Sequence, residues 1–198
     1  MIKSKKDYRS FLEADRIALN KKKPNLISQL IDLFFPDYIW NFQKLLRKLE
    51  FRKNCRKSIF NNLIIILLQF RFKRLSLKLG FSIPPNVFGP GLAIMHYGTI
   101  VVNANSRVGA NCRIHPCTNI GASGGSPKAP QIGNNVYIGP GAKIYGDITI
   151  ANNVAIAANA AVNKSFTEEN ILIGGIPAKK IKEIDISSLI KHLSKSDL

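Results

Sequence analysis

Residues 132–166 read IGNNVYIGPGAKIYGDITIANNVAIAANAAVNKSF, and the spacing within them decides the architecture. Ile132, Ile138, Ile144, Ile150, Ile156 and Val162 stand six apart, and the frame runs back through Ile120, Ile114, Val108 and Val102, with Ser126 its one missing member. A six-residue period fits neither the 3.6-residue turn of a helix nor the alternation of an antiparallel meander. It suits a coil of short strands in which each side turns one aliphatic side chain inward, three sides making a triangular rung of 18 residues. Asn134 and Asn135 recur 18 residues on as Asn152 and Asn153, and Gly141 as Asn159. Asn and Gly tolerate the left-handed backbone of a tight corner, so equivalent corners stack. From 84 to 173 the pattern gives about five rungs, at roughly 4.8 Å each a prism about 24 Å tall.

Two irregularities interrupt the frame. Phe88, Ile94 and Ile100 precede it with a slip of two before Val102, and GASGGSPKAPQ at 121–131 lacks the inward aliphatic. The second reads as a loop extruded from the prism. Upstream, residues 1–80 form a basic α-helical region, 81–182 the prism domain, and 183–198 a C-terminal tail or short helix. Ser58 is placed to cap a helix that Gly80 ends, and the apolar run 59–70 reads as its buried face. A second helix covers roughly 37–57, with Pro36 at its start and Trp40, Leu45, Leu46 and Leu49 as apolar contacts, and a shorter, very basic one precedes it.

The 198 residues carry 29 Lys plus Arg against 12 Asp plus Glu, net +17, and the excess is uneven. Residues 1–80 hold 19 basic and 6 acidic side chains, net +13, and the remainder 10 and 6, net +4. The basic helices either buttress an assembly or form a peripheral face for an anionic membrane, and the first reading is preferred. Lys and Arg are dispersed without a recognisable binding motif, which argues against nucleic acid. Cys55, Cys112 and Cys117 lack C-x-x-C spacing, so neither a disulfide framework nor a structural zinc is expected. The N-terminus shows no signal-peptide core and 59–70 is too short to span a bilayer, so a cytoplasmic location is expected.

The 132–166 run, the closing GGIPAKKI (174–181) and HYGTIVVN (96–103) together resemble the serine acetyltransferase family of left-handed β-helix, hexapeptide-repeat acyltransferases. The resemblance covers 81–182 and implies a left-handed parallel β-helix behind a helical N-terminal region. It also implies a homotrimer or dimer of trimers, acetyl-CoA as cosubstrate in a groove between prisms, and no metal. Acetyl transfer from a thioester to a hydroxyl needs a base, oxyanion donors and a hold on coenzyme A. His96 matches the family's catalytic base; on the residues alone it reads rather as a structural histidine at a corner. His115, 19 residues on and so about one rung further, is either auxiliary to the site or a bystander after Ile114. His192 reads as a surface residue. With His96 and His115 alone in the prism, a three-His zinc site lacks its third ligand. The resemblance assigns Gly139, Ala157 and Ala158 to the pantetheine arm and Lys164, Lys179 and Lys180 to the cofactor phosphates.

Where the family carries aspartates fifteen residues before the base and immediately before it, and a histidine in the extruded loop, this chain has Phe81, Met95 and about Ala129. Their apolar character favours the carbon face of a pyranose over zwitterionic serine. The expectation is therefore an O-acetyltransferase acting on a sugar in surface polysaccharide biosynthesis. The alternatives are serine O-acetylation in cysteine biosynthesis and a non-catalytic scaffold.

Overall fold

The computed structural model describes residues 1–55 and 58–194, so the last residues of the expected helix over 37–57 and of the tail over 183–198 lie outside the described residues. Four helices come first: α1 (Lys5–Ala18), α2 (Leu26–Phe34), α3 (Tyr38–Cys55) and α4 (Ile59–Leu79). Each has a local reason to begin or end. Ser4 and Asn25 accept backbone N–H groups at the starts of α1 and α2. Asp37 accepts the Trp40 N–H at the start of α3, and Gly80, at φ 77°, ends α4 in the left-handed conformation.

From Phe81 the chain winds as a coil with three parallel faces. One face stacks β1 (Phe81–Ser82), β3 (Ile100–Val102), β6 (Thr118–Gly121), β9 (Lys143–Tyr145) and β12 (Ala161–Val162). The second stacks β4 (Arg107–Val108), β7 (Gln131–Ile132) and β10 (Thr149–Ile150), extended by bridges from Phe88 to Val108 and from Ile150 to Phe166. The third stacks β2 (Ala93–Ile94), β5 (Arg113–Ile114), β8 (Tyr137–Ile138), β11 (Ala155–Ile156) and β13 (Ile171–Gly175), and β14 (Ala178–Glu183) folds back antiparallel on β13.

All ten aliphatics of the six-residue frame lie inside this coil with at most 5% of their surface exposed. Burying each contributes roughly 1.5–3 kcal/mol of gross hydrophobic free energy, so the repeat is itself the core. The slip before Val102 is absorbed within β3, where Ile100 and Val102 both face inward and Val101 outward. Ser126 falls in the segment that leaves the coil between β6 and β7, so no inward side chain is required there. Corner residues Asn111, Asn135, Asn153 and Asn159 all have φ of 55–57°. The first three form a ladder: Asn111 donates to Asn135 at 2.9 Å and Asn135 to Asn153 at 2.8 Å.

The coil's first turn has no preceding rung to satisfy its backbone, and helix side chains take that place. Gln43 donates to the Leu92 carbonyl at 2.7 Å and accepts the Ile94 N–H. One turn along α3, the Arg47 guanidinium donates to the carbonyls of Phe88 and Gly89, while Asp15 of α1 accepts the Leu92 N–H. Phe42 closes the mouth of the coil between Phe72 and Phe81, with ring centroids 5.1 Å from each. At the C-terminus a short 3₁₀ turn (Ile186–Ser188) lays Ile186 and Ile190 on Ala155. His192 is thereby half-buried and bonded to Asn111 at 3.3 Å, which corrects its reading as a surface residue.

The reading of 59–70 as a buried face is also corrected. Phe60, Leu63, Ile66, Leu67 and Phe70 are exposed, while Asn61 and Leu68 point inward. Only the C-terminal half of α4 packs on the prism mouth, through Phe72, Leu75 and Leu79. No described helix is long and apolar enough to cross a membrane.

Candidate functional site

Two imidazoles meet at one edge of the prism. β2 and β5 are hydrogen-bonded neighbours with Ile94 opposite Ile114, so the residues leaving them, Met95 to Tyr97 and His115 to Cys117, form stacked corners. The first corner turns at Gly98, whose φ of 129° is closed to other residues and whose absent Cβ would lie 3.1 Å from Pro116. The second turns at Cys117, at φ 62°, with the Thr118 hydroxyl donating to the His115 carbonyl. His96 and His115 are thereby held with ring centroids 6.5 Å apart.

Their environments differ. His96 is exposed, as is Tyr97 beside it. His115 is half-buried, 4.9 Å from the Tyr137 ring, and its Nδ1 lies 3.0 Å from the Ile138 carbonyl. A carbonyl only accepts, so the Nδ1 atom carries the proton and the Nε2 of the neutral ring keeps its lone pair. Burial pushes the His115 pKa below its ordinary value against the opposing pull of the Ile138 carbonyl, and the Arg113 and His96 charges lower it further. An edge with one exposed imidazole and one fixed, neutral imidazole can accept a proton from an approaching hydroxyl.

The residues assigned to the cofactor are partly brought together. Gly139 is buried beneath the next turn: a Cβ there would stand 2.7 Å from the Ala158 nitrogen, so glycine is required for the corners to stack. Ala157 and the more exposed Ala158 form the corner above it, and Ala157 packs against Gly174. Across the hairpin Gly174 pairs with Lys179, which is exposed. Lys180 is engaged by the Glu168 and Glu183 carboxylates. Lys164 lies on another side of the coil, its ammonium 5.5 Å from the Phe166 ring centroid. The loop between β6 and β7 is tied down where Asn105 donates to the Pro127 carbonyl at 2.7 Å and Lys128 pairs with Asp147 at 2.6 Å. Gly124 and Gly125 both have positive φ within it. Among the described residues no group of three or more His, Cys, Asp or Glu side chains could hold a metal.

Residues 129–164 match the family described as bacterial transferase hexapeptide, six repeats. The chain is 36% identical over 107 residues to a serine acetyltransferase of Staphylococcus xylosus, covering 52% of this chain and 49% of that protein. It is 32% identical over 105 residues to that of Synechococcus elongatus, covering 52% and 43%. It thus spans about half the length of the curated relatives it matches. Among solved structures it is similar to Brucella abortus serine acetyltransferase in complex with coenzyme A, with a TM-score of 0.70 at 25% identity over 91% of this chain and 70% of that one. The Neisseria gonorrhoeae enzyme gives 0.69 at 25% identity over 93% and 70%.

These relatives overturn the expectation of a sugar acceptor and favour the serine alternative. The structure removes the physical basis of the sugar reading as well. Phe81 and Ala129 are core residues, 4% and 2% exposed, so neither offers a surface to a pyranose, and only Met95 of the three is partly accessible. With its repeat frame, its helical N-terminal region and these likenesses, the chain is similar to the serine acetyltransferases and carries the bacterial transferase hexapeptide repeat within its left-handed β-helix.

Proposed function

We propose that the protein is an acetyl-CoA-dependent O-acetyltransferase that transfers acetyl to the hydroxyl of serine. The observation that carries this reading is the edge pairing exposed His96 with His115, on a chain whose relatives are serine acetyltransferases. In this reading His96 is the catalytic base. It takes the hydroxyl proton as the oxygen attacks the thioester carbonyl, and the tetrahedral intermediate collapses by breaking the carbon–sulfur bond, with the proton leaving on the coenzyme A thiol. His115 assists by holding a neutral ring beside it. Backbone groups at Gly139, Ala157 and Ala158 hold the pantetheine arm, Lys179 and Lys164 meet phosphates, and Lys180 joins them only by leaving Glu168 and Glu183.

The division of labour follows the chain. Residues 1–80 brace the coil, 81–182 form about five rungs that carry the chemistry with 121–131 as an extruded loop, and the described C-terminal residues up to Ser194 cover one face. The working form is a homotrimer in the cytoplasm, with the cofactor groove between neighbouring prisms. Release of free thiol from acetyl-CoA, measured with and without L-serine, tests the activity. Serine-dependent release is expected; release that ignores serine, or none, would overturn the reading.

A further inference from the structure

The outward side of the helical region is apolar on two elements. On α2, Ile27, Leu30, Ile31, Leu33 and Phe34 fall within an arc of about 160° at 100° per residue, with Ser28 and Asp32 opposite. All five are exposed, Phe34 at 76%, and Phe35 just beyond the helix at 79%. Among the described residues, none from α2 belongs to a buried hydrophobic cluster. On α4, Ile59, Leu63, Ile66, Leu67 and Phe70 form one exposed stripe. It runs directly into Arg71, Arg74 and Lys78, and α4 contains no Asp or Glu.

These two surfaces are joined. The Lys78 ammonium stands 3.6 Å from the Tyr38 ring centroid, where the chain leaves α2 for α3. Beside that contact lies a groove of about 870 Å³ between α1, α3 and α4. Lys44, Lys48, Arg71, Arg74 and Lys78 line it, and none of its lining residues is a carboxylate. Just before α2 come Lys21, Lys22 and Lys23. Asp37, close to the same junction, is engaged by Lys21.

We propose that this face docks the protein peripherally on an anionic bilayer. Phe34, Phe35 and the two aliphatic stripes enter the boundary between headgroups and acyl chains, and the groove cations take the lipid phosphates. Charge selects this occupant. A second copy facing it through the same surface would bring the same cations against the groove, whose lining holds no carboxylate to meet them. Nucleic acid would satisfy the cations but leave the aliphatic stripes in water.

Co-sedimentation of the purified chain with phosphatidylcholine vesicles, with and without phosphatidylglycerol, tests the proposal. Binding is expected only to the anionic vesicles and should weaken as salt is raised. Two exposed-site variants, Phe34→Glu with Phe35→Glu and Arg71→Glu with Arg74→Glu, should each lower partitioning by roughly tenfold or more while circular dichroism is unchanged. Equal binding to both vesicle types, no binding, or unchanged partitioning of both variants would overturn it. So would light scattering in which the same substitutions dissolve an oligomer in vesicle-free solution, which would assign the face to a second copy.

Discussion

Arg47 and Asp15 meet twice, Nε to Oδ2 at 2.8 Å and Nη2 to Oδ1 at 3.1 Å, with neither side chain exposed to solvent. Glu50 approaches the same guanidinium at 3.0 Å and also accepts the Asn86 N–H at 2.7 Å. Burial works against the Arg47 charge, but the Asp15 and Glu50 carboxylates outweigh it and raise its pKa above the ordinary value. The cluster clamps α1 and α3 to the first turn of the coil. Asp15→Ala should cost about 3–5 kcal/mol, because it leaves a buried cation short of one partner and the Leu92 N–H without its acceptor. Urea unfolding followed by circular dichroism measures this, and a loss under about 1 kcal/mol would show that the clamp is dispensable.

Corner asparagines make two contributions that separate by substitution. Asn135 sits at φ 55° and also links Asn111 to Asn153. Asn135→Ala loses both the tolerance of that backbone and the ladder, for roughly 2–3 kcal/mol. Asn135→Gly loses the ladder alone, for about 1 kcal/mol. Thermal melts should rank wild type above Gly above Ala, and a variant order with Ala above Gly contradicts the account.

The coil was legible because its core is written as a period: each of Val102 to Val162 in the six-residue frame is an inward side chain. The corners were legible too, since Asn135, Asn153 and Asn159 adopt the left-handed backbone for which their residue type is suited. The clamp was not. Asp15, Arg47 and Glu50 look like ordinary helix-surface charges, and only the turn geometry at 86–94 brings unpaired backbone groups to them. The run at 59–70 misled for a related reason. Hydrophobicity marks a face that avoids water, and it does not say whether the chain itself covers that face. Phe81 and Ala129 misled because alignment to a motif position carries no information on which way a side chain points, and both turn into the core.

Acid should weaken the fold through two half-buried imidazoles. Burial lowers the pKa of both His115 and His192 below the ordinary 6.5, and the Arg113 charge adds to each. A histidine depressed in the folded state binds protons more readily when unfolded, so its contribution is complete above about 6.5 and is lost as pH falls through that value toward the folded pKa. Urea midpoints should therefore fall between pH 7 and 5, and substituting both His115 and His192 by Gln should flatten that slope. A midpoint that rises on acidification reverses the sign and removes the assignment.

The pair at the prism edge makes the last prediction, because the proposed roles of His96 and His115 leave different kinetic marks. A general base that touches the reacting hydroxyl contributes about 10²–10⁴-fold to turnover, so His96→Ala should lower kcat by at least about 10² while coenzyme A affinity barely changes. His115 is held off by its Ile138 carbonyl bond and acts on its neighbour through proximity. His115→Ala should therefore cost much less, roughly tenfold. His115→Gln keeps a hydrogen-bonding side chain of similar reach and is expected to recover part of that loss. Stopped-flow release of coenzyme A from the wild type and the three variants across pH 5–9 separates the two roles. Equal losses at both positions would make the imidazoles one proton relay, and an unaffected His96→Ala enzyme would move the chemistry away from this edge.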